Sequence, residues 1–98
     1  MPVECDLIDD TAVLSVRGSF DIASYEDFNQ AYSRYIGAVD QFRIDLASTT
    51  HMDSSALGML LLLREQAGDG AKIEIVNVEG DIANILQIAQ FNQLFKIR

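Results

Sequence analysis

The spacing of apolar and polar positions changes several times along the chain, and each change marks an element. Val3 to Ile8 alternates in part and reads as an edge strand, followed by a tight turn at Asp9-Asp10-Thr11. Ala12, Leu14 and Val16 then share one face, with Val13, Ser15 and Arg17 on a more polar one, so Ala12 to Arg17 is a second strand. Strands this close in sequence pair as an antiparallel hairpin, and Gly18 ends it. The period then lengthens to that of a helix. Tyr25, Phe28, Tyr32, Tyr35, Ile36 and Val39 fall on one side, and Glu26, Asn29, Gln30, Ser33 and Arg34 on the other. Ser24 followed by Asp27 is a variant capping box, and Gly37 marks the helix end.

Phe42 to Leu46 returns to the alternation of a strand, and Ser48-Thr49-Thr50 is turn chemistry. Asp53, Ser54 and Ser55 stand where a helix opens, since their short oxygen-bearing side chains accept hydrogen bonds from the free N–H groups of a first turn. The helix runs from about Ser54 to Ala67. Its residues Leu57, Met59, Leu60, Leu61, Leu62 and Leu63 are apolar all round, so it is either buried on most sides or meets another molecule. Gly68-Asp69-Gly70 stops it. Lys72 to Val78 is a further strand, and about Asp81 to Gln90 a last helix with Ile82, Ile85, Leu86 and Ala89 on one face. Phe91, Leu94, Phe95 and Ile97 give the tail an apolar anchor that docks it. Strand–helix–strand units imply parallel pairing through right-handed crossovers, so the chain is α/β, with an open mixed sheet of about four strands whose antiparallel edge is the first hairpin.

Composition narrows the function. Ninety-eight residues, 49% of them apolar, make a single domain over residues 1–98 with one core. The net charge of −8, from 15 acidic and 7 basic residues, argues against nucleic acid and against an anionic membrane surface. Met1-Pro2-Val3-Glu4 has neither the basic start nor the apolar stretch of a signal peptide, and the run from Leu57 to Leu63, interrupted by Gly58, is far short of the ~20 residues a membrane span requires. A cytoplasmic protein is expected. Cys5 is the only cysteine, which excludes an internal disulfide and a Cys-x-x-Cys site; it reads as a small apolar strand residue.

Catalytic chemistry is poorly supported. His51 is the only histidine, and no Gly-x-Ser-x-Gly elbow accompanies Ser54 or Ser55. Asp9, Asp10, Asp21, Asp45 and Asp53 are scattered without metal-ligand spacing, and Gly68-Asp69-Gly70 is a helix stop rather than a phosphate loop. No metal, no cofactor and no enzymatic activity are expected.

Three motifs in order resemble the STAS domain of anti-sigma factor antagonists. Asp45-Leu46 closing a strand, then Asp53-Ser54-Ser55 with Leu57 and Gly58, is similar to that family's central signature, with Ala56 where the family usually has glycine. Val16-Arg17-Gly18-Ser19-Phe20-Asp21 resembles its strand followed by Gly-Glu-Leu-Asp, with Ser19 and Phe20 substituted. Leu94-Phe95-Lys96-Ile97 resembles its closing Leu-Phe-x-Ile, with Gln90-Phe91 in place of a Gly-Leu pair.

The resemblance implies an open mixed sheet with helices mainly on one face, and a protein that acts by exchanging partners. The unmodified form would bind an anti-sigma factor, often itself a serine kinase, and so release a sigma factor. Phosphorylation of Ser54, the serine directly after the Asp of the signature, would break that complex, and a metal-dependent serine phosphatase would restore it. Asp21, Ser24, Thr49, Asp53, Ser54, Ser55, Leu57 and Gly58 are the partner-facing candidates. Capping and turn roles also account for Asp21, Thr49, Thr50 and Ser55. Two other uses of the same fold stay open: a switch acting on a motility or second-messenger enzyme, and an unphosphorylated subunit of a membrane transport complex. A receiver domain fits poorly, because this chain is short and begins with a hairpin.

Overall fold

The computed structural model describes residues 2–98, so residue 1 of the expected domain lies outside the described residues. The hairpin forms as the alternation predicts. β1 (Val3–Ile8) and β2 (Thr11–Val16) pair antiparallel from Val3–Val16 to Ile8–Thr11. Asp9 and Asp10 make the turn with φ of 50° and 66°. Positive φ at both central positions is the type I′ backbone, whose twist matches that of the strands, and Asp enters that region more easily than most residues. Beyond β2 come β3 (Gly18–Phe20), α1 (Tyr25–Ser33), β4 (Gln41–Asp45), β5 (Thr49–Met52), α2 (Ser54–Ala67), β6 (Lys72–Val76), α3 (Gly80–Ile88) and β7 (Lys96–Ile97).

The main sheet has five strands in the order β1-β2-β4-β6-β7, antiparallel only at the β1–β2 edge. The expected strands are all present. The additional ones are short: β7, formed by the docked tail, and the separate parallel pair β3–β5. Thr49 and Thr50 therefore lie in a strand, not in the turn expected of them. Their branched Cβ atoms suit extended backbone. The helix over Tyr25 ends at Ser33, earlier than its apolar stripe implied; Tyr35, Ile36 and Val39 still pack on the core from the turns that follow. Strand β6 ends at Val76 because Asn77 turns to φ 61°.

One apolar cluster joins the sheet to all three helices. Ala12, Leu14, Val16, Phe42, Ile44, Ile73 and Ile75 point into it from the strands. Phe28 and Tyr32 of α1, Met59, Leu60 and Leu63 of α2, and Ile82 and Leu86 of α3 cover them. The helices thus share one face, and strand alternation leaves the other face polar. On that open face Glu74 accepts hydrogen bonds from Arg43 Nε (3.0 Å) and from Arg98 Nε and Nη2 (2.8 and 3.0 Å). The Arg98 pairing, with Arg43 in support, pulls the Glu74 carboxyl from its ordinary 4.5 down to about 2 against some opposing loss of hydration.

A folded-state value below the unfolded one means that these pairs stabilise the fold above about pH 4.5, and that the stabilisation is lost as the pH falls towards about 2. Urea unfolding measured across this window is expected to give a midpoint that drops less steeply for Glu74→Gln than for the wild type.

Candidate functional site

The parallel strands β2, β4 and β6 all point to one pole, where they end at Val16, Asp45 and Val76. Past these ends β3 and β5 form their own parallel ribbon, with Gly18 opposite Thr49, Ser19 opposite His51 and Phe20 opposite Met52. The register slips between Gly18 and Ser19, and Gly18 takes φ 78°, which favours a residue without a Cβ. One bond ties the ribbon to the main sheet, and a second closes the base of the ribbon. The buried Thr49 hydroxyl donates to the Val16 carbonyl at 2.7 Å, and Gly18 N–H donates to the Ser48 carbonyl at 3.0 Å. Phe20 and Met52 plug the ribbon into the core.

The ribbon aims β5 directly into α2. Asp53 is the N-cap, in extended backbone, and its carboxylate accepts from Ser55 N–H at 2.9 Å. Its carbonyl accepts from Ala56 N–H at 3.1 Å, closing the first turn. Ser54 is the first helical residue and is exposed; among the described residues its hydroxyl has no hydrogen-bond partner. Ser55 and Leu57 are half-buried, and Gly58 is exposed in the second turn. A Cβ built on Gly58 would meet nothing within 4 Å. Ala56, the position of the substituted glycine, is wholly buried.

On the other side of the ribbon the expected capping box is not made. Ser24 already has helical backbone angles, and its buried hydroxyl donates to the Ser19 carbonyl at 2.9 Å. The cap belongs to Asp21, whose carboxylate accepts from Ala23 N–H at 3.0 Å and opens a short 3₁₀ turn, Ile22–Ser24, ahead of α1. Asp21 and Asp53 therefore cap two neighbouring turns at the same pole. Ser24 and Thr49 hold the pole together from within, while Ser54, Gly58 and the edges of Asp21, Asp53, Ser55 and Leu57 form its surface.

Other residues of this pole stand outside the partner-facing candidates. Asp45 accepts from Ala47 N–H and from Asn77 Nδ2, each at 2.9 Å, and so links the loops after β4 and β6. Ile22 and Ile88 are 70% and 82% exposed, the largest exposures of any large apolar side chain among the described residues. Thr50, His51 and Met52 line a groove with Asp81, Ile85 and Ile88 of α3. Ile22 sits inside a capping turn and Ile88 off the apolar stripe of α3, so periodicity singles out neither. The acids Asp21, Asp45, Asp53, Glu79 and Asp81 surround the pole, whereas most of the chain's cations lie on other faces. Among the described residues no group of three or more His, Cys, Asp or Glu side chains is placed to hold a metal, and no helix is long and apolar enough to cross a membrane.

Comparison with known proteins places this pole in a family context. A family model described as the STAS domain matches residues 3–98. A STAS-domain containing protein of Pseudomonas aeruginosa (strain UCBPP-PA14) is 44% identical over 85 residues, covering 86% of this chain and 84% of that protein. An anti-sigma factor antagonist from Mycobacterium paratuberculosis superposes with a TM-score of 0.87 at 19% identity, over 97% of this chain and 82% of the other. The anti-sigma factor antagonist SpoIIAA in its unphosphorylated form gives 0.77 at 18% identity, over 98% and 86%. The phosphorylated form of SpoIIAA, described as a Bacillus cell fate determinant, gives 0.76 at 18% identity, over 98% and 90%. At these identities the structural likeness is one of fold.

The bonds at the pole have measurable weights. Asp53→Ala removes the cap of α2 and is expected to cost about 1 kcal/mol. Thr49→Val keeps the shape but leaves the Val16 carbonyl without its buried donor, at a cost of about 1–3 kcal/mol. Equilibrium unfolding in urea checks both, with the larger loss expected for Thr49→Val.

Proposed function

The chain belongs to the STAS domain family, and on that premise we propose that it is an anti-sigma factor antagonist switched off by phosphorylation of Ser54. Unmodified, it binds an anti-sigma factor and thereby frees a sigma factor. Modified, it lets go. The observation that carries this reading is the placement of Ser54: an exposed hydroxyl, engaged by nothing among the described residues, at the first position of a helix already capped by Asp53. A kinase can reach such a hydroxyl without opening the fold. The likeness to SpoIIAA supports the same view, because its unphosphorylated and phosphorylated forms match this chain equally well, at TM-scores of 0.77 and 0.76. Both forms of that protein keep the fold seen here.

The partner is an anti-sigma factor that is commonly also a serine kinase, and a metal-dependent serine phosphatase resets the switch, all within the cytoplasm. Asp21, Asp53, Ser55, Leu57 and Gly58 would take part in the contact, with Ser24 and Thr49 holding them in place. Gly58 supports this. A glycine inside a helix costs about 1 kcal/mol relative to alanine, and this one has no crowding neighbour to require it; a partner lying against α2 gives it a purpose. Phosphorylation adds about −1.5 to −2 charges beside Asp53 on a chain at −8. A phosphate buried in that contact without a cation to pair it would be expelled. The protein has no catalytic role in this scheme.

The test is capture from lysate of the native cell on immobilised wild type, Ser54→Ala and Ser54→Asp, followed by affinity measurement with the captured partner. An anti-sigma factor or kinase held by wild type and Ser54→Ala, and weakened about a hundredfold by Ser54→Asp, is the expected result; that factor corresponds to roughly 3 kcal/mol. Equal capture by all three removes Ser54 as the control point. A catch dominated by membrane transport subunits replaces the proposed partner.

A further inference from the structure

A kinase can take a serine as one residue of an extended segment drawn into its cleft, or as a point on a folded surface. The first route is closed to Ser54. Met52 and Ala56, each two residues away, are buried, and Met59 and Leu60 follow them into the core from the same helix. Straightening the segment around Ser54 would pull Met52 and Ala56 out of the core, strip the Asp53 carboxylate from Ser55 N–H and part β5 from β3. An opening of that size takes the ribbon and the first turns of α2 together, well beyond the fraying of a helix end. The register of the ribbon then says what shares the folded surface. β3 and β5 run parallel, with Phe20 opposite Met52. One step on, Asp21 stands beside Asp53, each the cap of a turn. A second step sets Ile22 beside Ser54, each the first residue of its turn. Ile22 is 70% exposed, its neighbours Ala23 and Tyr25 are exposed as well, and Ile22 takes no part in the core.

We propose that the kinase recognises Ser54 only as part of this two-segment folded surface, and that Ile22 is its apolar specificity determinant, carried by a turn far earlier in the chain. The proposal rests on the reading of Ser54 as the acceptor. Transfer forms a bond between Ser54 Oγ and the γ-phosphorus of a nucleoside triphosphate and breaks the bond from that phosphorus to the β–γ bridging oxygen; the nucleoside diphosphate leaves, and the hydroxyl proton passes to a base of the kinase. Such a transfer depends on positioning, and a rigid acceptor supplies half of it. Ser54 is held by the capped helix and by the ribbon behind it, so a kinase that seats Ile22 in an apolar pocket finds the hydroxyl at a fixed place. Tyr25, one helical turn after Ile22, extends the same apolar surface. The linear sequence around Ser54 contains none of this, and an unfolded copy of the chain is not a substrate. The switch therefore acts only on folded copies.

Soluble extract of the native cell with γ-labelled ATP serves as the kinase source. The readout is the rate of labelling at Ser54, located by mass spectrometry, with Ser54→Ala as the blank. The full chain is expected to be labelled, and a synthetic peptide of residues 47–61, which holds the same acceptor sequence, about a hundredfold more slowly or not at all, since it lacks the second segment and the fixed geometry. Ile22→Gln removes the apolar surface without adding charge and should lose about tenfold in rate, whereas Ile22→Leu should keep most of it. Ile22 is exposed, so these variants fold, and an unchanged urea midpoint verifies this. A peptide labelled at a rate near that of the full chain overturns the proposal, and so does an Ile22→Gln chain labelled as fast as the wild type. Label at Ser54 in neither the full chain nor the peptide removes the reading of Ser54 as the acceptor, and this proposal with it.

Discussion

The buried hydrogen bond from the Thr49 hydroxyl to the Val16 carbonyl is the joint between two parts of this molecule. Val16 is the last residue of β2, one position beyond the last β2–β4 pair, Ser15–Asp45. Leaving a buried carbonyl unmet costs about 1–3 kcal/mol. Thr49 meets it at 2.7 Å, and in doing so brings β5 alongside β3. Everything at the pole follows from that placement. Phe20 and Met52 fill the space beneath the ribbon, Asp21 and Asp53 end up as caps of adjacent turns, and Ser54 is delivered to the surface at a fixed angle.

The same joint explains why polar residues at this pole divide into two kinds. Ser24 and Thr49 have given their hydroxyls to backbone carbonyls and are buried, so their task is positional. Ser54 has given its hydroxyl to nothing among the described residues, although it sits a few residues from a serine and a threonine of similar chemistry. Burial and hydrogen bonding, rather than residue type, separate the group available for modification from those that hold it in place. A composition-level reading of Ser-Thr-Thr and Asp-Ser-Ser cannot make that separation, because each of these side chains is equally able to cap, to turn or to be modified.

Much of the fold was legible for reasons that are local. The alternation in β2, β4 and β6 and the boundaries of α2 rest on strong periodicity and on the Asp53 cap, and the structure reproduces them. Where legibility failed, a distant partner decided. Thr49 and Thr50 look like a turn by composition, but β3, some thirty residues earlier in the chain, pairs with them and makes a strand. Ser24 and Asp27 have the spacing of a capping box, but Asp21 had already begun the helical turn and left Ser24 pointing at Ser19. Ile22 and Ile88 carry no periodic signal at all; only the folded surface shows two large apolar side chains exposed at the pole that bears Ser54.

A phosphate on Ser54 would be nearly neutral for the fold itself, and this is why the pole suits a switch. At the N-terminus of α2 an added anion gains about 0.3–1 kcal/mol from the helix dipole. Against that stands Asp53, whose carboxylate is held at the same end by Ser55 N–H. A repulsion between the two anions through water, at separations of a few ångströms, is of order 1–2 kcal/mol. The terms offset one another to within about 1 kcal/mol, small beside the 5–15 kcal/mol that keeps an ordinary domain folded. A partner covering the pole changes that balance completely, because it removes the water that screened the pair. The two anions would then repel in a poorer dielectric, with Asp21 capping the neighbouring turn and no cation of α2 nearer than Arg64 in its last turn. The proposed switch therefore requires no conformational change in this chain: the free domain would carry the phosphate at little cost, and the proposed complex would not.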